Sequence, residues 1–154
     1  MTNDETADRD PKAMYESFLH GERPDDVLVY LHESDVGSVS TLLEIGTRAD
    51  GGVVLVLSGQ RGRRAFERAT GLDAMSFAGA AMKRTGEIER DCTDGVCPDA
   101  DEKTETNHRV RFIFAFAEAQ NDEVGGLYAA GDVVHAYAAC ACGTTYSDKW
   151  VVGS

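Results

Sequence analysis

The residues of this chain best suited to chemistry are its four cysteines, Cys92, Cys97, Cys140 and Cys142. Their pattern is C-x4-C, a gap of 42 residues, then C-x-C-G. Two close pairs of thiols point to a metal rather than to disulfides, because the N-terminus MTNDETADRD carries no hydrophobic export segment. Zinc takes four soft or borderline ligands in a tetrahedron, commonly two from each of two local segments. On an extended strand positions i and i+2 share a face, so Cys140 and Cys142 would both meet one ion. Gly143 would turn the backbone tightly and bring amide groups to the sulfurs as donors. The spacing departs from paired C-x2-C, so it reads as a degenerate zinc ribbon in which the final hairpin is stapled to the 92–97 loop. His108 is an alternative fourth ligand; His135 falls on the face opposite Cys140 and suits the role less.

Two other readings compete for the same residues. Val134, Ala136, Ala138, Cys140 and Cys142 could form a smooth strand face for close packing, the usual role of an isolated cysteine. Alternatively, Cys92 and Cys97 form a loop disulfide and the C-x-C a thiol pair. The anions Asp91, Asp94 and Asp99 would keep these thiols protonated, which argues against redox catalysis.

A second cluster lies in SGQRGRRAFER, where Arg61, Arg63, Arg64 and Arg68 follow a glycine turn into a helix. Guanidiniums at a helix N-terminus suit an anion or phosphate. The pattern is neither a P-loop nor G-x-G-x-x-G, and a solvated helix face with arginines paired to carboxylates such as Glu67 is the stronger reading. The polar group Glu118, Gln120, Asn121, Asp122 and Glu123 could supply a base or hard-cation ligands. On a surface this rich in carboxylates a polar turn is the stronger reading. His20, His32 and the serines form no Ser-His-Asp order.

These side chains must be positioned by elements that the pattern of apolar residues predicts. The chain has 154 residues, 42% of them hydrophobic, enough for one compact domain without disulfides. No apolar run approaches the ~20 residues of a membrane helix. We expect a disordered acidic tail over 1–11 and a single globular domain over 12–154. KAMYESFLHG predicts a helix that stops at Gly21, and VLVYL (27–31) a buried strand. ESDVGSVSTLLEIGTRA reads as a weaker helix, DGG as a turn, and VVLVLSG (53–59) as a second buried strand. Two apolar strands joined through a helix predict a parallel βαβ unit. QRGRRAFERATG and DAMSFAGAAMKR predict helices separated by Gly71 and the N-cap Asp73. GEIERD reads as a short strand and 92–107 as a long surface loop. HRVRFIFAFAEA alternates, with Val110, Phe112, Phe114 and Phe116 on one face. VVHAYAACAC is the last long strand, and Tyr146 and Trp150 then seal the cysteines against the core. The expected class is α+β: an α/β half over 12–91 on a mixed sheet and an antiparallel, cysteine-bearing half over 92–154.

Charge bounds the environment. The chain holds 27 acids against 15 bases, a net charge of −12. It has four lysines and eleven arginines, little isoleucine, and more aspartate than glutamate. That combination is typical of extreme halophiles, where a Debye length of about 3 Å at molar salt screens the self-repulsion. Acidity is then a property of the whole surface rather than evidence of a partner, and nucleic-acid binding is not expected because counterion release weakens at high salt.

The segments GERPDDVLVYL, VVLVLSGQRGRRAFE and FAFAEAQNDEVGGLYAAGDVVHAYAACACGTTYSDKW resemble a family of small haloarchaeal proteins of unknown function. The resemblance implies a cytoplasmic protein and transfers no catalytic residue. The sequence thus leads to a non-enzymatic binding or adaptor protein with a structural zinc site at Cys92, Cys97, Cys140 and Cys142, and an unidentified protein partner. The alternative is a small phosphate- or nucleotide-handling enzyme that uses the Gly59–Arg64 turn and the acids of 118–123.

Overall fold

The computed structural model describes residues 10–99, 108–121, 123 and 125–152; the expected acidic tail falls almost wholly outside them. Helix α1 (Pro11–Leu19) starts where the Asp10 carboxylate accepts from the Ala13 amide at 3.3 Å and proline occupies the first turn. Strand β1 (Asp26–His32) follows, then a 3-10 turn (Glu33–Asp35), a short helix α2 (Val39–Leu42), and strands β2 (Thr47–Ala49) and β3 (Gly52–Ser58). Helices α3 (Gly59–Thr70) and α4 (Ala74–Ala81) meet at Gly71 and at Asp73, whose carboxylate accepts from the Ser76 amide at 2.9 Å. Short strands β4 (Glu87–Ile88) and β5 (Gly95–Val96) pair with each other. The chain ends in β6 (Val110–Glu118), a short helix α5 (Leu127–Ala130), β7 (Val133–Cys140) and β8 (Thr145–Val151).

The result is an α+β fold on a six-stranded sheet of order β2-β3-β1-β6-β7-β8, antiparallel at every pairing. This corrects the parallel βαβ unit and the mixed sheet. β3 pairs antiparallel with β1, from Asp26↔Ser58 to His32↔Gly52. β2, three residues at the sheet edge, shares the direction of β1, as does β7, and β3 lies between β2 and β1. Asp50 and Gly51, both with positive φ (47° and 83°), form the tight β2–β3 hairpin that reverses the chain. β1 and β3 are continuous apolar runs because both sheet faces are covered, and that burial is as compatible with antiparallel as with parallel pairing.

One face packs Val29, Leu31, Leu55, Phe112, Phe114 and Tyr137 against α3 and α4. Phe66 of α3 lies at the centre, stacked on Phe77 at 5.3 Å and edge-on to Phe112 and Phe114 at 5.4 and 5.5 Å. The other face packs Leu28, Tyr30, Ile113, Ala136 and Ala138 beneath Phe18 of α1 and beneath Ile88, Cys92 and Cys97. Phe112, Phe114 and Phe116 share a face as alternation predicts, but Val110 joins Ile113 on the opposite one. A bulge between Val110 and Phe112 shifts the register by one residue and flips everything before it.

Residues 92–99 also depart from the expected surface loop. Cys92, Thr93, Cys97 and Asp99 are buried. The β4–β5 ladder folds this stretch onto the sheet, and the acids in its sequence concealed the small residues that pack. The remainder of that segment, 100–107, lies outside the described residues.

Two glycines test the packing of the helical layer. A Cβ at Gly62 would lie 2.0 Å from Val27 Cγ2, so α3 crosses β1 only because that position lacks a side chain. A Cβ at Gly79 on α4 would meet nothing within 4 Å. Gly62→Ala is expected to lower unfolding free energy by about 1–3 kcal/mol through overpacking. Gly79→Ala is expected to raise it by about 0.5–1 kcal/mol through helix propensity. Denaturant unfolding of the two variants checks both signs.

Candidate metal centre

Strand pairing builds the site. Val110 is the register partner of Cys140, so His108, two residues upstream, overhangs the turn that leaves β7. The Ala141 amide donates to the Arg109 carbonyl at 2.9 Å and extends that contact past the last ladder pair. The turn itself is closed by Gly143 N–H to the Cys140 carbonyl at 2.9 Å and Cys140 N–H to the Thr144 carbonyl at 2.8 Å. Gly143 supplies the turn with φ +97°, but its amide goes to a carbonyl rather than to a sulfur. Cys142 sits in this turn, beyond the end of β7, so the turn and not strand alternation aims its thiol.

Cys97 arrives from the other side. Gly86 N–H donates to the Ser147 carbonyl, Ser147 N–H to the Arg84 carbonyl, both at 2.9 Å, and Ile88 N–H to the Asp148 carboxylate at 3.0 Å. These bonds fix residues 84–88 along β8, and β5 pairs with β4, so Cys97 is delivered beside the hairpin turn. Cys97, His108, Cys140 and Cys142 then place one ligand atom each within 4.8 Å of all the others. Cys97 and Cys140 are buried; His108 and Cys142 are partly buried.

The distances fit a tetrahedral ion. Cys97 Sγ and Cys142 Sγ are 3.7 Å apart, and Cys140 Sγ and His108 Nδ1 are 3.6 Å apart. With Zn–S about 2.3 Å and Zn–N about 2.0–2.1 Å, a regular tetrahedron has edges of about 3.8 Å between sulfurs and about 3.6 Å between sulfur and nitrogen. Two opposite edges of this cluster therefore have the lengths that a tetrahedral metal site would require.

A layer of polar contacts surrounds the thiols. Asp99 N–H donates to Cys97 Sγ at 3.4 Å. The Asp99 carboxylate accepts from Arg84 at 2.8 Å and from the Thr144 hydroxyl at 2.6 Å, and that hydroxyl lies 3.3 Å from Cys142 Sγ. Such contacts orient ligands and balance their charge. Burial would raise the Cys142 thiol, but contacts with the Thr144 hydroxyl and amide and with the Cys140 and Cys97 thiols outweigh it and pull the group down to about 6. Cys140 moves the opposite way, raised chiefly by burial. The sequence signal for the lowered thiol is the threonine two residues after it, which reasoning from nearby aspartates alone overlooks.

Cys92 is not in this cluster. It is fully buried in the hydrophobic core at φ +61°, and burial, followed by the Asp91 charge, raises its thiol. Spacing made Cys92 and Cys97 a natural pair; the β4–β5 ladder instead sends the first thiol into the core and the second toward the hairpin. His108 takes the remaining corner, while His135 lies elsewhere, stacked on Phe116 at 5.1 Å and bonded to Glu118 at 2.9 Å.

Among the described residues, the cavities that take in Arg63 and Arg68 do not take in the acids of 118–123. Arg61, Arg63 and Arg64 are exposed on α3. Arg63 lines a cavity with Asp25, Gly59 and Met75, Arg68 lines a second, and Glu118 lines a third with His135 and Lys149. The Gly59 amide at the start of α3 donates to the Asp25 carbonyl at 3.1 Å. Gln120 and Asn121 are exposed at the end of β6, and Asp122 lies outside the described residues.

In metal-free protein the lowered Cys142 thiol gives a signed pH dependence. The native state binds fewer protons than the unfolded chain between about 6 and the ordinary value of 9.0, so this group's contribution to stability is present above that window and is lost as pH falls through 6. We expect iodoacetamide to label Cys142 first, at a rate that rises through pH 6 and levels off near neutrality, while Cys92 reacts only on unfolding. Peptide mapping by mass spectrometry across the pH range measures both.

Among the described residues no helix is long and apolar enough to cross a membrane. No curated protein and no solved structure matches the chain. A family model, that of a family of unknown function (DUF5807), matches residues 46–153, which take in β2 through β8 and all four residues of the cluster. This chain belongs to that family.

Proposed function

We propose that this protein is a non-enzymatic binding or adaptor module stabilised by one structural zinc ion at Cys97, His108, Cys140 and Cys142. The observation that carries the reading is the pair of opposite edges, 3.7 and 3.6 Å, which match tetrahedral zinc. Four protein ligands fill all four corners, whereas a catalytic zinc keeps one corner open for water or substrate. The C-terminal hairpin is then zinc-ribbon-like in presenting two thiols at a turn, with the other two ligands coming from the segment after β5 and the residues just before β6. Free thiols suit a reducing compartment, in line with a cytoplasmic location, and the net charge of −12 suits a high-salt interior.

Purified protein is expected to hold about one equivalent of zinc by mass spectrometry of metals, and chelation should lower the thermal midpoint. Cys97→Ala, His108→Ala and Cys142→Ala should each cut zinc content well below stoichiometric, whereas Cys92→Ala should keep it. Zinc below about 0.2 equivalents with all four thiols freely reactive would reject the site. Loss of zinc in Cys92→Ala with retention in His108→Ala would restore the four-cysteine arrangement.

A further inference from the structure

The face of the sheet opposite the thiol cluster carries a groove that the zinc reading leaves unused. It runs between α3 and the segment containing α2, with a volume of about 430 Å³. Leu42 and Ile45 form one wall, Leu55 of β3 the floor, and Ala65 and Ala69 of α3 the other wall. Among the described residues the one acid lining it, Asp35, is already paired with Arg109 and Arg111. Ile45 is 44% exposed, a large apolar side chain left open to water at the groove mouth.

The α3 rim of this groove is cationic. Arg61, Arg64 and Arg68 stand at i, i+3 and i+7 and so share one stripe beside Ala65 and Ala69. All three are exposed, and Arg68 lines the groove itself. Residues 59–72 hold four arginines against one acid, Glu67, whereas the rest of the chain holds 11 cations against 26 acids. A cationic edge along an apolar trough, on a protein otherwise strongly anionic, is a local reversal of the surface field.

We infer that this groove docks an acidic amphipathic segment of a partner protein, with its apolar residues in the trough and its carboxylates on Arg61, Arg64 and Arg68. Helix-in-groove recognition needs an apolar channel of this kind, and guanidiniums pair carboxylates in two-point geometry. The occupant is a short segment rather than a nucleic acid or an anionic bilayer. Those are extended polyanions, and binding beyond the stripe would set them against a chain that elsewhere holds 26 acids to 11 cations. A short segment confines its charge to the arginines. The inference gives the adaptor reading a surface, and it can fail without affecting the zinc site, which lies on the other side of the sheet.

The test titrates full-length protein into a labelled helical peptide of about 15 residues, leucine at helical i, i+3, i+4, i+7 spacing and glutamate elsewhere, followed by anisotropy. We expect saturable binding, weakened at least about tenfold by the combined Arg61→Glu, Arg64→Glu and Arg68→Glu variant. Ile45→Asp or Ala69→Glu, both at exposed positions, should weaken it to a similar extent through the apolar side. Circular dichroism and zinc content should be unchanged in every variant. The proposal is overturned by absence of binding, by binding indifferent to these variants, or by tighter binding of duplex DNA or phosphatidylserine vesicles than of the peptide. It is also overturned if the protein self-associates in sedimentation and Ile45→Asp disperses it, since the occupant is then a second copy.

Discussion

A sheet that is apolar on both faces must be covered twice, and this demand organises the molecule. On one side the cover is made of α3 and α4, whose Phe66 and Phe77 close an aromatic cluster over Phe112 and Phe114. Interlocked rings of that size bury enough surface to hold two helices in place. On the other side the cover is α1 together with residues 84–99, a stretch whose only regular elements are two strands of two residues each. Such a segment has little internal stability of its own. The thiol–imidazole cluster lies where this weak cover meets the β7–β8 turn, and a metal there would fasten the cover to the sheet. The site and the fold therefore solve one problem.

Electrostatics follows the same division. Ion pairs and hydrogen bonds concentrate where irregular segments need fixing. Arg84 and Thr144 hold Asp99 next to Cys97, and Arg109 and Arg111 both reach Asp35 at the base of β6. Partly exposed pairs of this kind contribute little energy individually, so their role is to set positions. The regular α3 helix needs no such help, and its Arg61, Arg64 and Arg68 are left facing water beside an apolar trough. The two faces thus carry different assignments: closure on the thiol side, an exposed surface on the helical side.

Much of this was legible from the residues. Helices at 11–19, 59–70 and 74–81 and the strands around VLVYL, VVLVLSG, HRVRFIFAFAEA and VVHAYAACAC follow from periodicity, caps and turn residues. Strand direction did not, because a run such as VVLVL reports burial of both faces and is silent on its neighbour. The three-residue β2 that reverses the expected topology is too short to show a pattern. The bulge at Val110 and the burial of 92–99 were likewise hidden, the first because it is a single-residue register shift and the second because aspartates surround the small residues that pack.

By itself the sequence determined an acidic α+β chain with four thiols and a histidine from which one ion could draw its ligands, since residue type and turn chemistry are local properties. Only the tertiary structure decided which four ligands meet. The Val110↔Cys140 pairing carries His108 over the hairpin turn, while the β4–β5 ladder turns Cys92 into the core and Cys97 outward to the cluster. The first outcome depends on a register between strands far apart in the chain. The second depends on where a local hairpin docks along β8, through the bonds of Gly86 to Ser147 and of Ile88 to Asp148. Neither is contained in the sequence of one segment alone.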